Sequence, residues 1–241
     1  VAARFARRDE PGRGDSKRSS CAIDSFTRPD RAGGRREAGT RVVTELPLTI
    51  TGVVLAGGEG RRMGGPKALL PGPGGRPLVE LALVALRAAG AGALRVSVAS
   101  SGDDAALASV ITPFGALVVP DRGPRQGPLG GLEAALACAP TEWVLVVACD
   151  MPHLDAALLR RIACLALDPT LDRSAVVPRV DGRAQPLHAA YHRRCLAPVR
   201  AALDAGDLRL TDVVAALDPE WLDLPRSASF DNWNTPLDRG R

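Results

Sequence analysis

Apolar and polar positions recur along this chain with two periods, and the points where the period changes mark its elements. Thr49–Ala56 is a β-branched, apolar run that stops at Gly57-Gly58, which predicts a buried strand entering a turn. From Pro77, the positions Leu78, Leu81, Leu83, Val84 and Leu86 give one face of a helix, with Gly90 as its stop. Leu94–Ala99 reads as a second strand, Asp104–Val110 as a short helix and Ala116–Val119 as a third strand. Pro128, placed where its missing N–H costs nothing, opens a helix that runs to about Ala139. Trp143–Cys149 is the clearest buried strand, and it ends in Asp150-Met151-Pro152, so a charge sits at its carboxyl end. Asp155 can cap the next helix, in which Leu158, Leu159, Ile162 and Leu165 share a face. Ala175–Val180 and Leu187–Tyr191 flank Asp181-Gly182, a dipeptide that favours a tight hairpin turn. Short helices near Leu196–Leu203 and Thr211–Leu217, a strand at Trp221–Leu224 and a loop at Asp231–Pro236 follow. Strand and helix alternate without internal repeat, which predicts one α/β domain on a mostly parallel sheet with a small hairpin insertion.

Residues 1–46 have no apolar period, and their mixture of Arg, Gly and acids cannot bury enough surface to offset ordering entropy. The expectation is a disordered basic tail. Because the tail begins with Val1, we expect it to be a stretch translated from upstream of the true start. The working domain is then 47–241. The net charge of +4 belongs to the tail, where 11 Lys/Arg face 7 Asp/Glu; residues 47–241 hold 20 of each. A neutral domain with 3% aromatic residues is a poor nucleic-acid surface. The longest apolar run, Trp143–Cys149, is far short of the roughly 20 residues a membrane helix needs. Five cysteines without Cys-x-x-Cys spacing exclude a zinc ribbon and a disulfide framework, and predict free thiols in a reducing cytoplasm.

The candidate chemistry begins where the first strand ends. The segment from Leu55, Ala56, Gly57 and Gly58 through Arg61 to Lys67 offers many unshielded N–H groups and three cations, which suits a polyphosphate. It is neither a P-loop, since Ala68 follows Lys67, nor a dinucleotide loop, since Met63 stands where a third glycine is needed. Lys67 is the only lysine after residue 17 in a chain that otherwise uses arginine, as if the position demanded a compact ammonium. Asn232 and Asn234 are the only asparagines, and Gln126 and Gln185 the only glutamines; each is a candidate ligand reader or a turn-closing amide. Asp150 stands at the strand edge where open α/β sheets bind ligands, as a Mg²⁺ ligand or as a cap for the following helix. Asp121 occupies the corresponding place after the third strand, as a contact to ribose, base or metal water or as a plain turn residue. His153 and His192 read as loop and strand-end residues, and Cys149 as a small apolar residue.

These residues resemble the molybdenum cofactor guanylyltransferases. The likeness rests on Leu55-Ala56-Gly57-Gly58 through Gly64-Gly65-Pro66-Lys67, Gly127-Pro128-Leu129-Gly130-Gly131-Leu132, Ala148-Cys149-Asp150-Met151-Pro152 and Asn232-Trp233-Asn234-Thr235-Pro236, in family order across residues 50–238. The resemblance implies a three-layer αβα Rossmann-like nucleotidyltransferase fold. It also implies transfer of GMP from GTP to molybdenum-molybdopterin with release of pyrophosphate. It assigns GTP contacts to Leu55, Ala56, Gly57, Lys67, Asp121 and Asp150, with Asp150 also the Mg²⁺ ligand. Lys67, Arg61, the loop N–H groups and Mg²⁺ would stabilise the leaving pyrophosphate. Gln185, His188, Asn232 and Asn234 would face the acceptor, and cofactor-delivery proteins and recipient molybdoenzymes are the implied partners. Relatives place an asparagine at the end of the second strand, where this chain has Ala99-Ser100-Ser101. That departure keeps open a cytidylyltransferase or another small-acceptor nucleotidyltransferase of the same fold. A non-catalytic nucleotide-binding module is the alternative from another class.

Overall fold

The computed structural model describes residues 48–57, 66–99, 105–123 and 126–233. The segment 1–46 lies outside the described residues, as do Gly58, Arg61 and Asn234 among the candidate site residues. The eight-stranded sheet is built around β1 (Leu48–Leu55), a strand buried on both faces. β2 (Ala91–Val98) and β4 (Trp143–Ala148) flank it in parallel, and β3 (Leu117–Pro120) extends the β2 side, also in parallel. Beyond β4 lies β7 (His188–His192), antiparallel, and then β5 (Ala175–Val180) with β8 (Glu220–Leu224) parallel to it.

Alternation along the central strands sorts side chains into two cores. Ile50, Val54, Leu145 and Val147 pack with α1 (Leu78–Ala88), α2 (Ala105–Ile111) and α4 (Ala156–Leu167). Val53, Leu55, Val144 and Val146 pack with α3 (Gly127–Cys138), α5 (Leu196–Asp204) and α6 (Leu210–Ala216). The result is the expected three-layer arrangement of helices on both faces of a mostly parallel sheet.

The departures from expectation have simple causes. Val84 of α1 is 37% exposed, because Val79, Ala82 and Ala85 complete the buried stripe beside Leu83 and Leu86. In α4, likewise, Ala163 and Ala166 join Leu159 and Ile162 in the core while Leu158 and Leu165 stay half-buried. A stripe read from leucines alone is rotated, because alanine fills core positions where helix and sheet come close. The Asp181-Gly182 turn does form, with φ of 49° and 74°, but its partner strand is the two-residue β6 (Arg183–Ala184). The longer run beyond it is β7, which inserts between β4 and β5. Cys138, Cys149 and Cys195 are free thiols, whereas Cys164 is disulfide-bonded, which corrects the expectation of free thiols throughout. No helix among the described residues is long and apolar enough to cross a membrane.

The position of β1 depends on Gly52. A Cβ there would lie 2.9 Å from Leu94 Cδ2, 3.1 Å from Ala91 Cβ and 3.2 Å from Leu86 Cβ, so α1 and β2 close on this strand only over a glycine. Replacement Gly52→Val should cost about 1–3 kcal/mol of unfolding free energy in a urea titration, the usual penalty for overpacking.

Candidate active site

The chain runs from β1 outward through β2 to β3, then returns to place β4 on the other side of β1. Such a reversal leaves a crevice at the carboxyl ends of the two central strands, where no crossover helix covers the edge. Leu55-Ala56-Gly57 leaves the sheet there: Leu55 O accepts from Cys149 N at 3.1 Å, and Ala56 N donates to Ser97 O at 2.8 Å. At Gly57 a Cβ would stand 3.3 Å from Ala99 Cβ and 3.4 Å from Asp121 Oδ2, so exposed main chain passes close to that carboxylate. Asp121 is held in turn: its N–H donates to Val98 O at 2.8 Å, and Ser97 Oγ donates to its Oδ1. Burial pushes the Asp121 carboxyl above its usual range, the Ser97 bond pulls it back, and the Glu133 carboxylate adds to the rise. Ser97 was missed from sequence, although a serine at a buried position of an apolar strand was a legible sign of a polar partner.

The glycines of α3 make room rather than contacts. A Cβ on Gly131 would sit 3.2 Å from both methyls of Leu55 and 3.4 Å from Ser97 Oγ. The helix can therefore lie directly against the ends of β1 and β2. Gln126 stands at the helix start with its Oε1 buried and without a hydrogen-bond partner among the described residues.

Lys67 opens a single 3₁₀ turn, Lys67–Leu69, that carries its ammonium to the end of β4. Nζ donates to Asp150 Oδ2 at 2.7 Å, with the two side chains 14% and 19% exposed. Asp150 Oδ1 is buried and has no hydrogen-bond partner among the described residues. The capping alternative for Asp150 fails, because α4 is capped by Asp155, whose side chain accepts from Ala157 N at 2.8 Å. Among the described residues there is no group of three or more His, Cys, Asp or Glu able to hold a metal ion. One carboxylate with an open oxygen still suffices for Mg²⁺, which draws most of its ligands from phosphate and water. Cys149, beside this carboxylate, is buried and its thiol is pushed up to about 12, first by desolvation and then by Asp150, so it is inert packing.

The carboxyl-terminal signature docks on the same strand end. Trp233 N donates to Asp150 O at 2.8 Å, which sets Asn232, exposed, at the rim beside Asp150. The Trp233 ring meets His153 edge-on at 6.0 Å. Gln185 lies just before the point where Leu187 O accepts from Ala148 N at 3.0 Å, and its own Nε2 donates to Arg183 O at 3.4 Å, the turn-closing alternative. His188 is fully buried opposite Val147, 4.7 Å from the Phe230 ring, with neither ring nitrogen hydrogen-bonded to any described residue. Desolvation pulls it down to about 4, slightly opposed by the Asp155 carboxylate.

This chain is a nucleotidyltransferase, built on an open α/β sheet whose central strand ends carry a lysine–aspartate pair. The sequence profile of the MobA-like NTP transferase domain matches residues 52–220, and the chain belongs to that family. It is 32% identical over 198 residues to a probable molybdenum cofactor guanylyltransferase of Pelotomaculum thermopropionicum, covering 79% of this chain and 90% of that one. A probable molybdenum cofactor guanylyltransferase of Halalkalibacterium halodurans is 34% identical over 196 residues, covering 78% and 94%. The crystal structure of molybdopterin-guanine dinucleotide biosynthesis protein A from Archaeoglobus fulgidus superposes with a TM-score of 0.62 at 22% identity, covering 79% and 95%, which shows the same fold.

A histidine buried neutral makes stability depend on pH with a defined sign. The unfolded chain takes up a proton near the ordinary value of about 6.5, the folded one only near 4, so stability is full above 6.5 and falls with acidification across that window. The loss amounts to about 3 kcal/mol. Replacement His188→Leu should flatten the decline of Tm between pH 6.5 and 4, measured by differential scanning calorimetry.

Proposed function

We propose that this chain transfers GMP from GTP to the terminal phosphate of molybdenum-molybdopterin, giving the guanine dinucleotide cofactor and pyrophosphate. The observation that carries this reading is the Lys67–Asp150 pair at the strand-reversal crevice, with one carboxylate oxygen engaged and the other left open. The names of the relatives at 32% and 34% identity supply the substrates. The acceptor phosphate attacks the α-phosphorus, the bond between that phosphorus and the bridging oxygen breaks, and pyrophosphate leaves with the electron pair. A phosphate monoester is already anionic near neutral pH, so the step needs no general base. The His188 imidazole, buried and without a hydrogen-bond partner among the described residues, is not placed to act as one.

Lys67 has a flexible stem and a point charge, and can exchange Asp150 for a phosphate oxygen as charge develops on the leaving group. Mg²⁺, held at Asp150 Oδ1, would supply further charge neutralisation across the triphosphate. Leu55-Ala56-Gly57 and Asp121 line the nucleoside side, where exchange of the Ser97 donor for ribose hydroxyls would keep the Asp121 carboxylate satisfied. Arg61 and Gly58 belong to the same reading but lie outside the described residues.

A second reading rests on one position. Ala99, exposed beside Gly57, puts a methyl where the family resemblance implies an asparagine, which removes a polar contact that could read guanine. A transferase using CTP on the same acceptor is the form this reading takes. Thermal shift with GTP, CTP, ATP and UTP plus Mg²⁺ separates the two, since a ligand at 100 times its dissociation constant adds about 2.7 kcal/mol. Selective protection by GTP is expected, and selective protection by CTP would transfer the conclusion to the second reading. Replacements Lys67→Ala and Asp150→Ala should each lower transfer by about 100- to 1000-fold while near-ultraviolet circular dichroism stays native. Near-normal turnover in either would reject the assignment.

A further inference from the structure

An open cleft of about 350 Å³ lies between the start of α4 and the end of β8, and none of the site residues above explains it. We propose that it takes the aminopyrimidinone end of the pterin acceptor; this rests on the acceptor class given under the proposed function. Three features of the lining match that ring. Leu158, Leu224 and Pro225 give apolar walls, and Phe230, backed by the His188 ring at 4.7 Å, gives an aromatic one against which a flat heterocycle can stack. Asp155 spends one oxygen on Ala157 N, and its other has no partner among the described residues. A carboxylate oxygen accepts from the adjacent amino and ring N–H donors that a pterin presents on one edge. Arg161 lines the same cleft without an ion pair or hydrogen bond among the described residues, and can donate to the ring carbonyl.

The cleft is also tied to the reactive carboxylate by the chain itself. Phe230 precedes Trp233 by three residues, a span of at most about 11 Å, and Trp233 N is bonded to Asp150 O. Asp155 follows Asp150 by five residues along the same loop. A molecule whose phosphate lies at Asp150 can therefore reach the cleft with its ring. The cleft lies on the β7 and β5 side of β4, across that strand from Leu55, Gly57 and Asp121 in the sheet order, so ring and nucleoside do not compete for space.

The test pairs a binding readout with a kinetic one. The probe is 6-hydroxymethylpterin monophosphate, followed by its fluorescence on titration with the full chain, and the variants are Asp155→Asn, which keeps the helix cap, and Arg161→Ala. Each variant should weaken pterin binding about 10-fold or more, and raise KM for the molybdopterin acceptor similarly, with KM for GTP and Tm unchanged. Variants that bind the probe like the parent chain, or a parent chain that does not bind it, would overturn the assignment of the cleft. Transfer of GMP whose acceptor KM ignores both variants rejects the cleft and spares the guanylyl reading. Pterin binding lost in the variants, in a chain that transfers no GMP, does the reverse.

Discussion

A carboxylate at the end of a strand buried on both faces is partly withdrawn from water, and an opposite charge beside it offsets that cost. β4 ends in this way at Asp150, and its compensation is the Lys67 ammonium at 2.7 Å. The pair joins a turn after β1 to the end of β4, so it spans the crevice opened by the reversal of strand order. The pair is asymmetric: Oδ2 is engaged, while Oδ1 is buried with no partner among the described residues. In the proposed reaction, the pair would part as Lys67 meets a phosphate and Asp150 a dication.

The two sides of the crevice are built by different means. On the β2 and β3 side, close approach does the work: Gly57 brings main chain to Asp121, and Gly131 brings α3 onto Leu55 and Ser97. On the β7 and β5 side, aromatic packing does it: Trp233 against His153 and Phe230 against His188 hold the carboxyl-terminal segment over the end of β4.

Much of this was legible from residues alone. The strand ends, the Asp155 cap, the Asp181-Gly182 turn and the placement of Leu55, Lys67, Asp121 and Asp150 at one sheet edge follow from periodicity, capping chemistry and the behaviour of α/β sheets. Contacts between segments far apart in sequence were not legible. Nothing local says that Trp233 would donate to the carbonyl of Asp150, that Ser97 would hold Asp121, or that His188 would face Phe230. Alanine-rich helix faces were misjudged for a related reason: alanine carries little hydrophobic signal, yet Ala82, Ala163 and Ala166 are core wherever a helix lies close to the sheet.

Where a triphosphate settles decides whether the Lys67–Asp150 pair works as proposed. A crystal structure of the chain with Mg²⁺ and a GTP analogue carrying a methylene bridge between the α- and β-phosphates tests this directly. Lys67 Nζ should then have moved from Asp150 to a phosphate oxygen, with Asp150 Oδ1 on the metal and the ribose beside Asp121. An intact Lys67–Asp150 pair, with the analogue bound elsewhere on the chain, would contradict it.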